Sequence, residues 1–534
     1  MARRWLTGVV ETRPNTYFRT ESGDVVAEGA INGVVGVVYK GTWGEANEVV
    51  DISVEEMNNL KDIVGTGEGY HAIHQAFLGG ALMVRAVRVG YEPTETVDGT
   101  TTAVLKTRVI LYTDVKTKNA DGSETTETKA AMRVWAKCHT SRAFTATVRT
   151  NKFTKKRELT IYEGDRVIET FAVQAGSKES IRFVNEINNT SKYFYATHAY
   201  KNEAGKDVGV KIKDYSMKKF IAGKNLTTNV AAFADGIEKI EAYDWNTIVA
   251  TTTANDVQLA LAEFVQQCYD VGRFGMAVIG GSYKTSLADH MTYAAAINDW
   301  RVVYCPSGWI GLDGVKYGYS ALAGRIAGMI AGCESNASIT HLVINGAFAL
   351  LNNYTNGEYI QAEEAGCLML SKNDAGQIWV DNSINTLVTP GNGLDEGWKK
   401  IRRTKCRFEL MTRINRTCDK LIGRLNNDAH GRATIITAMT TVIREMIAER
   451  KLFNLRWVTN VENTRYAVFQ GLIGIGEDNY KASLSNVELA KKFNVAEGLI
   501  SAVQLGKVYK NVDGQIRSEY IPCSTDCGQI ILTG

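Results

Sequence analysis

Apolar and polar positions change their period several times along the chain, and each change marks a new element. Residues 1–25 alternate around Trp5, Leu6, Val9, Tyr17 and Phe18 without a helical repeat, and Pro14 blocks a helix, which predicts an extended arm. Residues 31–39 are a β-branched run punctuated by glycine and predict a strand. After a turn through Gly41, Thr42, Trp43 and Gly44, Ser53 and Glu56 have the spacing of a capping box, so a helix with Val54, Met57 and Ile63 on its apolar face is expected. A second helix over 70–78 stops at Gly79 and Gly80 and leads into a strand over 81–89. Residues 26–91 therefore read as the first part of a layered α/β middle domain.

From 92 to 205 the pattern turns threonine-rich, charged and alternating, with runs at 104–112, 132–137, 144–149 and 159–162 split by polar turns; this predicts an inserted all-β domain. Between 206 and 390 the helical period returns with Val257, Leu261, Phe264, Val265 and Cys268 on one face, ended by Gly272. Strands over 274–279 and 301–305, a helix over 287–300, a small-residue helix around Ala321 to Ala331 and a hairpin over 367–380 complete the second part of the α/β domain. In 391–510 a half-buried strand is expected where Thr404, Cys406, Phe408 and Leu410 alternate with Arg403, Lys405, Arg407 and Glu409, followed by two amphipathic helices, giving an α+β domain. Residues 511–534 return to extended character with Tyr520, Ile521, Ile530, Ile531 and Leu532 among polar neighbours, a second arm. The fold class expected is thus α/β and α+β, in several domains.

Length supports that division, since 534 residues exceed one ordinary hydrophobic core. A hydrophobic share of 45% and a charged share of 22% are those of a folding globular chain. The formal charge of +3 gives no electrostatic reason to expect a nucleic-acid partner. No secretion signal opens the sequence and no apolar run has the length of a membrane span, so neither that export route nor stable membrane insertion is expected. Nine cysteines, scattered and mostly within apolar runs, suit reduced thiols in cytosol.

Candidate chemistry is sparse. Residues 280–285, Gly-Gly-Ser-Tyr-Lys-Thr, follow a strand as a phosphate loop would, but Tyr283 stands where a glycine must let the backbone close round phosphates. His71 and His74 have a spacing that can share a metal, without a third ligand nearby in sequence; a structural pair is the expectation. Cys523 and Cys527 lack the paired spacing of a zinc site. No Gly-x-Ser-x-Gly or His-Glu-x-x-His run occurs, and the seven histidines form no assignable triad, so no catalytic residue, metal or cofactor is expected. The basic run over 399–424, interrupted by Glu409 and Asp419, reads as a solvated face or the mate of an acidic neighbour. Extended ends with open backbone donors and acceptors need a sheet to join, and a sheet on another subunit is their natural use.

The order of several segments resembles contractile tail sheath proteins of phages and phage-tail-like particles. They are Arg13-Pro14 through Tyr17, the strand over 31–39, Trp43-Gly44, the helix ending at Gly65 and the stretch from Ala76 through Gly80-Ala81 to Arg88-Val89. Residues 327–332, 363–366, 381–387 and 398–402, then Asn426-Asn427-Asp428 with Gly431-Arg432, are similar to the branch found in defective prophages and tail-like bacteriocins of Gram-positive bacteria. The resemblance covers most of 1–450, with the β insertion as a variable part. Asn15 stands where the family often has glycine, and the last 80 or so residues depart from the family's usual ending.

The resemblance implies a non-enzymatic subunit that stacks as hexameric rings round an inner tail tube, meets baseplate and tail terminator proteins, and contracts to drive the tube through a target cell envelope. Assembly would take place in the host bacterial cytoplasm and the product would be a virion tail or tail-like particle. Trp5, Leu6, Val9, Tyr17, Phe18, Tyr520, Ile521, Ile530, Ile531 and Leu532 would be the inter-subunit arm contacts. Two alternatives stand beside it: another tail component, and a nucleotide-binding enzyme built on 280–285.

Overall fold

Short valine-rich segments, apolar at nearly every position, build the main sheet. Val34–Tyr39, Thr247–Ala250, Met276–Gly280 and Val302–Cys305 are buried along their whole length, as parallel strands covered on both faces must be. The structure, a computed structural model, describes residues 3–4, 17–18, 33–98, 100–118, 124–202, 205–391, 395–421 and 429–452. They belong to two units, one of residues 32–401 and one of residues 1–31 with 402–534.

In the larger unit six strands lie in the order Val302–Cys305, Met276–Gly280, Thr247–Ala250, Val34–Tyr39, Met83–Arg88, Val49–Ser53. The first five are parallel, with Val35 opposite Val84 on one side and Thr247 on the other; Val49–Ser53 closes the edge antiparallel. Helices Glu68–Gly79 and Tyr319–Gly332 pack together and onto the sheet, and Val230–Glu241 and Asn255–Asp270 pack together and onto the sheet as a second pair. The chain winds outward in one direction from Val34–Tyr39 and, after the insertion, in the other direction from Thr247–Ala250, so the topology reverses between these two neighbours.

Most expected elements of this part are present, with differences. The capping box forms, the Glu56 carboxylate accepting from the Ser53 amide at 2.9 Å. Beyond it the chain makes a 3-10 helix Val54–Asn59 and a single α turn Leu60–Ile63, because among them only Leu60 is buried and Val54 is 41% exposed; no apolar stripe holds a longer helix. The edge strand Val49–Ser53, the strand Thr247–Ala250 and the helices Val230–Glu241 and Asn356–Glu364 are elements the periodicity did not single out.

The insertion contains a three-stranded sheet, Phe194–His198, Glu124–Ala136 and Arg108–Lys118, and a four-stranded sheet, Arg166–Gln174, Lys156–Glu163, Thr145–Thr150 and Tyr215–Lys219. Its last strand lies beyond residue 205, the end read from composition. It is also not all-β: Glu179–Thr190 is a helix, since Ser180, Phe183, Val184 and Ile187 recur at the helical interval and all are buried. Phe144, Phe194 and Phe220 meet in this core with centroids 5.3 to 5.8 Å apart. Trp43, from the turn after the first strand, joins them.

In the smaller unit Arg3–Arg4 and Tyr17–Phe18 are extended and pair in parallel. Trp5, Leu6, Val9, Tyr520, Ile521, Ile530, Ile531 and Leu532 lie outside the described residues, as do Cys523 and Cys527. The strand expected over 404–410 is instead part of the helix Ile401–Asp419. Thr404 and Phe408 stand four apart, and so do Cys406, Leu410 and Ile414; two adjacent rows on a helix imitate a period of two. Glu409, expected to face water, is buried and accepts from Arg413 Nη2 at 2.5 Å, one helical turn on, and from Lys451 Nζ at 2.8 Å. Arg413 also binds Glu449, so part of the basic run is neutralised within the chain. Leu410 and Ile414 pack against Met439, Val442, Ile443 and Met446 of Ala429–Ala448.

Candidate assembly elements

Segments far apart in sequence that carried the family resemblance meet at three joints of the larger unit. At the first, helix Tyr319–Gly332 lies backbone to backbone on Glu68–Gly79. A Cβ on Gly324 would stand 2.2 Å from the Ala72 carbonyl oxygen, on Gly328 2.0 Å from that of Ala76, and on Gly332 2.2 Å from that of Gly80. Glycines four apart form one row of the helix, so the small-residue stripe is a packing surface.

At the second joint Arg88, 1% exposed, ties the insertion to the α/β domain. Its guanidinium donates to the carbonyls of Gly41 at 3.0 Å, Gly44 at 2.7 Å and His139 at 2.8 Å. Arg142 lies over the Trp43 ring at 5.0 Å and binds Glu163 through two hydrogen bonds of 2.7 and 2.5 Å, which hold that carboxyl below its ordinary range.

The third joint gathers residues of 363–366, 381–387 and 398–402. Asn382 Nδ2 donates to Glu363 at 2.9 Å, Lys400 Nζ donates to Asn382 Oδ1 at 2.8 Å, and Asn385 Nδ2 donates to the Trp398 carbonyl at 2.6 Å. Burial, with Asp381 beside it, pushes the Glu363 carboxyl up to about 7. Unfolded, the same group ionises near 4.5. Between those values the folded state holds the extra proton, so this group's contribution falls as pH rises through the window and is level above it. Glu363→Gln abolishes the titration and should raise the melting temperature at pH 8 but not at pH 4.5. The shift alone would exceed 3 kcal/mol, but solvent screening at this partly exposed side chain reduces it to about 1 kcal/mol. Melting curves at the two pH values test it, and an equal effect at both would count against the assignment.

The residues singled out for chemistry are occupied structurally. After Gly280 the loop is filled from inside: His290, 2% exposed, places Nδ1 2.7 Å from the Tyr304 hydroxyl and Nε2 2.9 Å from the Ser282 carbonyl. The Ser282 hydroxyl accepts from the Lys284 amide, and Lys284 itself is exposed. No cradle for phosphates remains within 280–285. His74 stacks on Tyr70 at 5.6 Å and His71 meets Tyr317 edge-on at 5.9 Å; burial lowers the pKa of both. Among the described residues no group of three or more histidines, cysteines and carboxylates could hold a metal ion. The described cysteines are free thiols, and burial pushes that of Cys367 up to about 12. No described helix is long and apolar enough to cross a membrane.

Comparison with known proteins points the same way. Residues 227–386 match the phage tail sheath protein central domain. They comprise the second half of the main sheet, its helices and the 363–366 and 381–386 parts of the third joint. No curated protein sequence matches the chain. The sheath tail protein of Desulfitobacterium hafniense superposes with a TM-score of 0.61 at 16% identity, over 83% of this chain and 91% of that one. The sheath tail protein Lin1278 of Listeria innocua gives 0.54 at 15% identity, over 79% and 86%. At such identities these likenesses establish a shared fold.

Proposed function

We propose that this chain, which belongs to the phage tail sheath family, polymerises as a helical stack of hexameric rings round an inner tail tube and contracts to drive that tube through a target cell envelope. The family is structural and not enzymatic, and its place is the sheath of a phage tail or tail-like particle. The observation that carries the finer reading is the sheath central domain at 227–386, set in a chain whose fold is that of sheath tail proteins over most of its length. Inner tube, baseplate and terminator proteins are the partners of this reading, with other copies of the chain.

A head-to-tail interface that does not close makes a helical filament, the geometry a sheath needs. The arms 1–25 and 511–534 are the proposed links, and the extended backbone at Tyr17–Phe18 supports the first. Twenty extended residues span at most roughly 65 Å, enough to reach a neighbour. Each backbone hydrogen bond adds only about 1 kcal/mol net, yet several per arm, repeated over many copies, keep subunits joined while their bodies rotate. Contraction is then a passage from a metastable packing to one of greater contact, with no nucleotide required.

Removing residues 1–20 is the test. The full chain should form hollow tubes in negative-stain micrographs without nucleotide, and the shortened chain should keep its circular dichroism spectrum and form none. Normal tubes from the shortened chain would refute the role of the arm.

A further inference from the structure

We infer that the crevice at the carboxyl ends of Val34–Tyr39 and Thr247–Ala250 binds a phosphate group, as free phosphate or as a small phosphate monoester. It lies where the winding of the sheet reverses, the place at which open α/β sheets leave a cleft for ligands. Its volume of about 430 Å³ accepts a ligand of that size. Glu68, Tyr319 and Ser320, from the first turns of the two helices of the first joint, line it, whereas the residues in backbone contact at that joint do not.

Three helices bring their first turns to this crevice, Val230–Glu241 through Asn229, Asn255–Asp270 through Ala254 and Tyr319–Gly332 through Tyr319 and Ser320. Each is at least 12 residues long, so each turns the positive end of a full dipole towards the same space, although on Val230–Glu241 the Asn229 side chain already accepts from the Ala232 amide at 2.8 Å. Lys40, at the end of the first strand, supplies a cation.

A second observation points to a ligand. Ser320 is only 5% exposed and lines the crevice, yet among the described residues its hydroxyl has no hydrogen-bond partner. Its oxygen is open to the crevice and not sealed in the core, so it is free to bond an oxyanion there. It sits on the second residue of its helix, beside amides that an oxyanion would accept from.

The backbone that presents Ser320 is strained. Tyr319 has a φ of +44°, and its carbonyl oxygen would lie 2.1 Å from a Cβ on Gly280, so only glycine there allows the approach. Glu68 also lines the crevice and stands 4.0 Å from Lys40, a long pair whose side chains are both more than half exposed. Such a pair is loose enough for Lys40 to turn to a stronger anion.

The experiment measures the binding of inorganic phosphate and of glycerol 3-phosphate to the full chain by calorimetry, with melting curves against chloride at equal ionic strength. Saturable binding of one equivalent is expected, weakened roughly tenfold in Lys40→Ala and in Ser320→Val through loss of one charge-assisted contact. Glu68→Gln, which frees Lys40 without touching the core, should tighten it. Tighter binding of the ester would identify an organic phosphate as the ligand, and equal binding free phosphate. No saturable binding of either probe by the parent, or identical affinity in Lys40→Ala, would overturn the proposal.

Discussion

Replacing Gly328 by leucine should cost the larger unit about 3 kcal/mol, the upper range for forcing bulk into a close-packed interior. The position tolerates no side chain at all, because its Cβ would stand 2.0 Å from the Ala76 carbonyl oxygen and 2.8 Å from the Ala76 carbonyl carbon. These are backbone atoms of a neighbouring helix, so no rotamer change relieves the clash; the two helices must separate, and both also pack on the main sheet. At roughly 2–4 °C per kcal/mol for a domain of a few hundred residues, the melting temperature should fall by about 5 °C or more. Gly357, with open space where its Cβ would be, is the control: in the helix Asn356–Glu364, alanine there should be neutral or stabilise by up to about 1 kcal/mol. If both variants melted with the parent, close helix contact could not be what requires Gly328.

Arg88→Met should have an effect of similar size by a different route. Methionine fills much of the space but donates nothing, so the Gly41, Gly44 and His139 carbonyls lose a charged donor together. A buried acceptor left unpaired costs about 1–3 kcal/mol; with two of the three bonds only part-buried, the sum is on the order of 4 kcal/mol. Lysine should not rescue it, since one ammonium cannot reproduce a planar fork aimed at three oxygens. Because His139 lies in the insertion and the glycines in the turn after the first strand, loosening should appear where the insertion joins, as faster proteolysis between 92 and 106. Parent-like melting and cleavage of Arg88→Met would argue against the clasp.

Much of the fold was legible because the segments that form it are strongly patterned. The buried strands around Val37, Val278 and Val303 read directly as apolar β-branched runs, and the helix through Leu261 and Phe264 as a stripe at the helical interval. Val49–Ser53 did not read this way because an edge strand is buried on few of its residues. The helix through Phe408 was misread because its apolar residues occupy two rows four apart, and because Glu409 turns inward to Arg413 and Lys451, partners that no local pattern specifies.

The amino-acid sequence determined, without coordinates, the alternation of strands and helices, the lack of a recognisable catalytic motif and the ordered segments resembling a sheath protein. Those properties rest on local periodicity and on spacing along the chain. Tertiary structure alone decided that Gly328 meets Ala76, that Arg88 clasps three carbonyls and that Lys40 and Ser320 face one crevice. Each of these pairings spans tens to hundreds of residues, and the energy that fixes it comes from packing and desolvation, which depend on where the chain brings distant groups together and leave no periodic trace in the residues themselves.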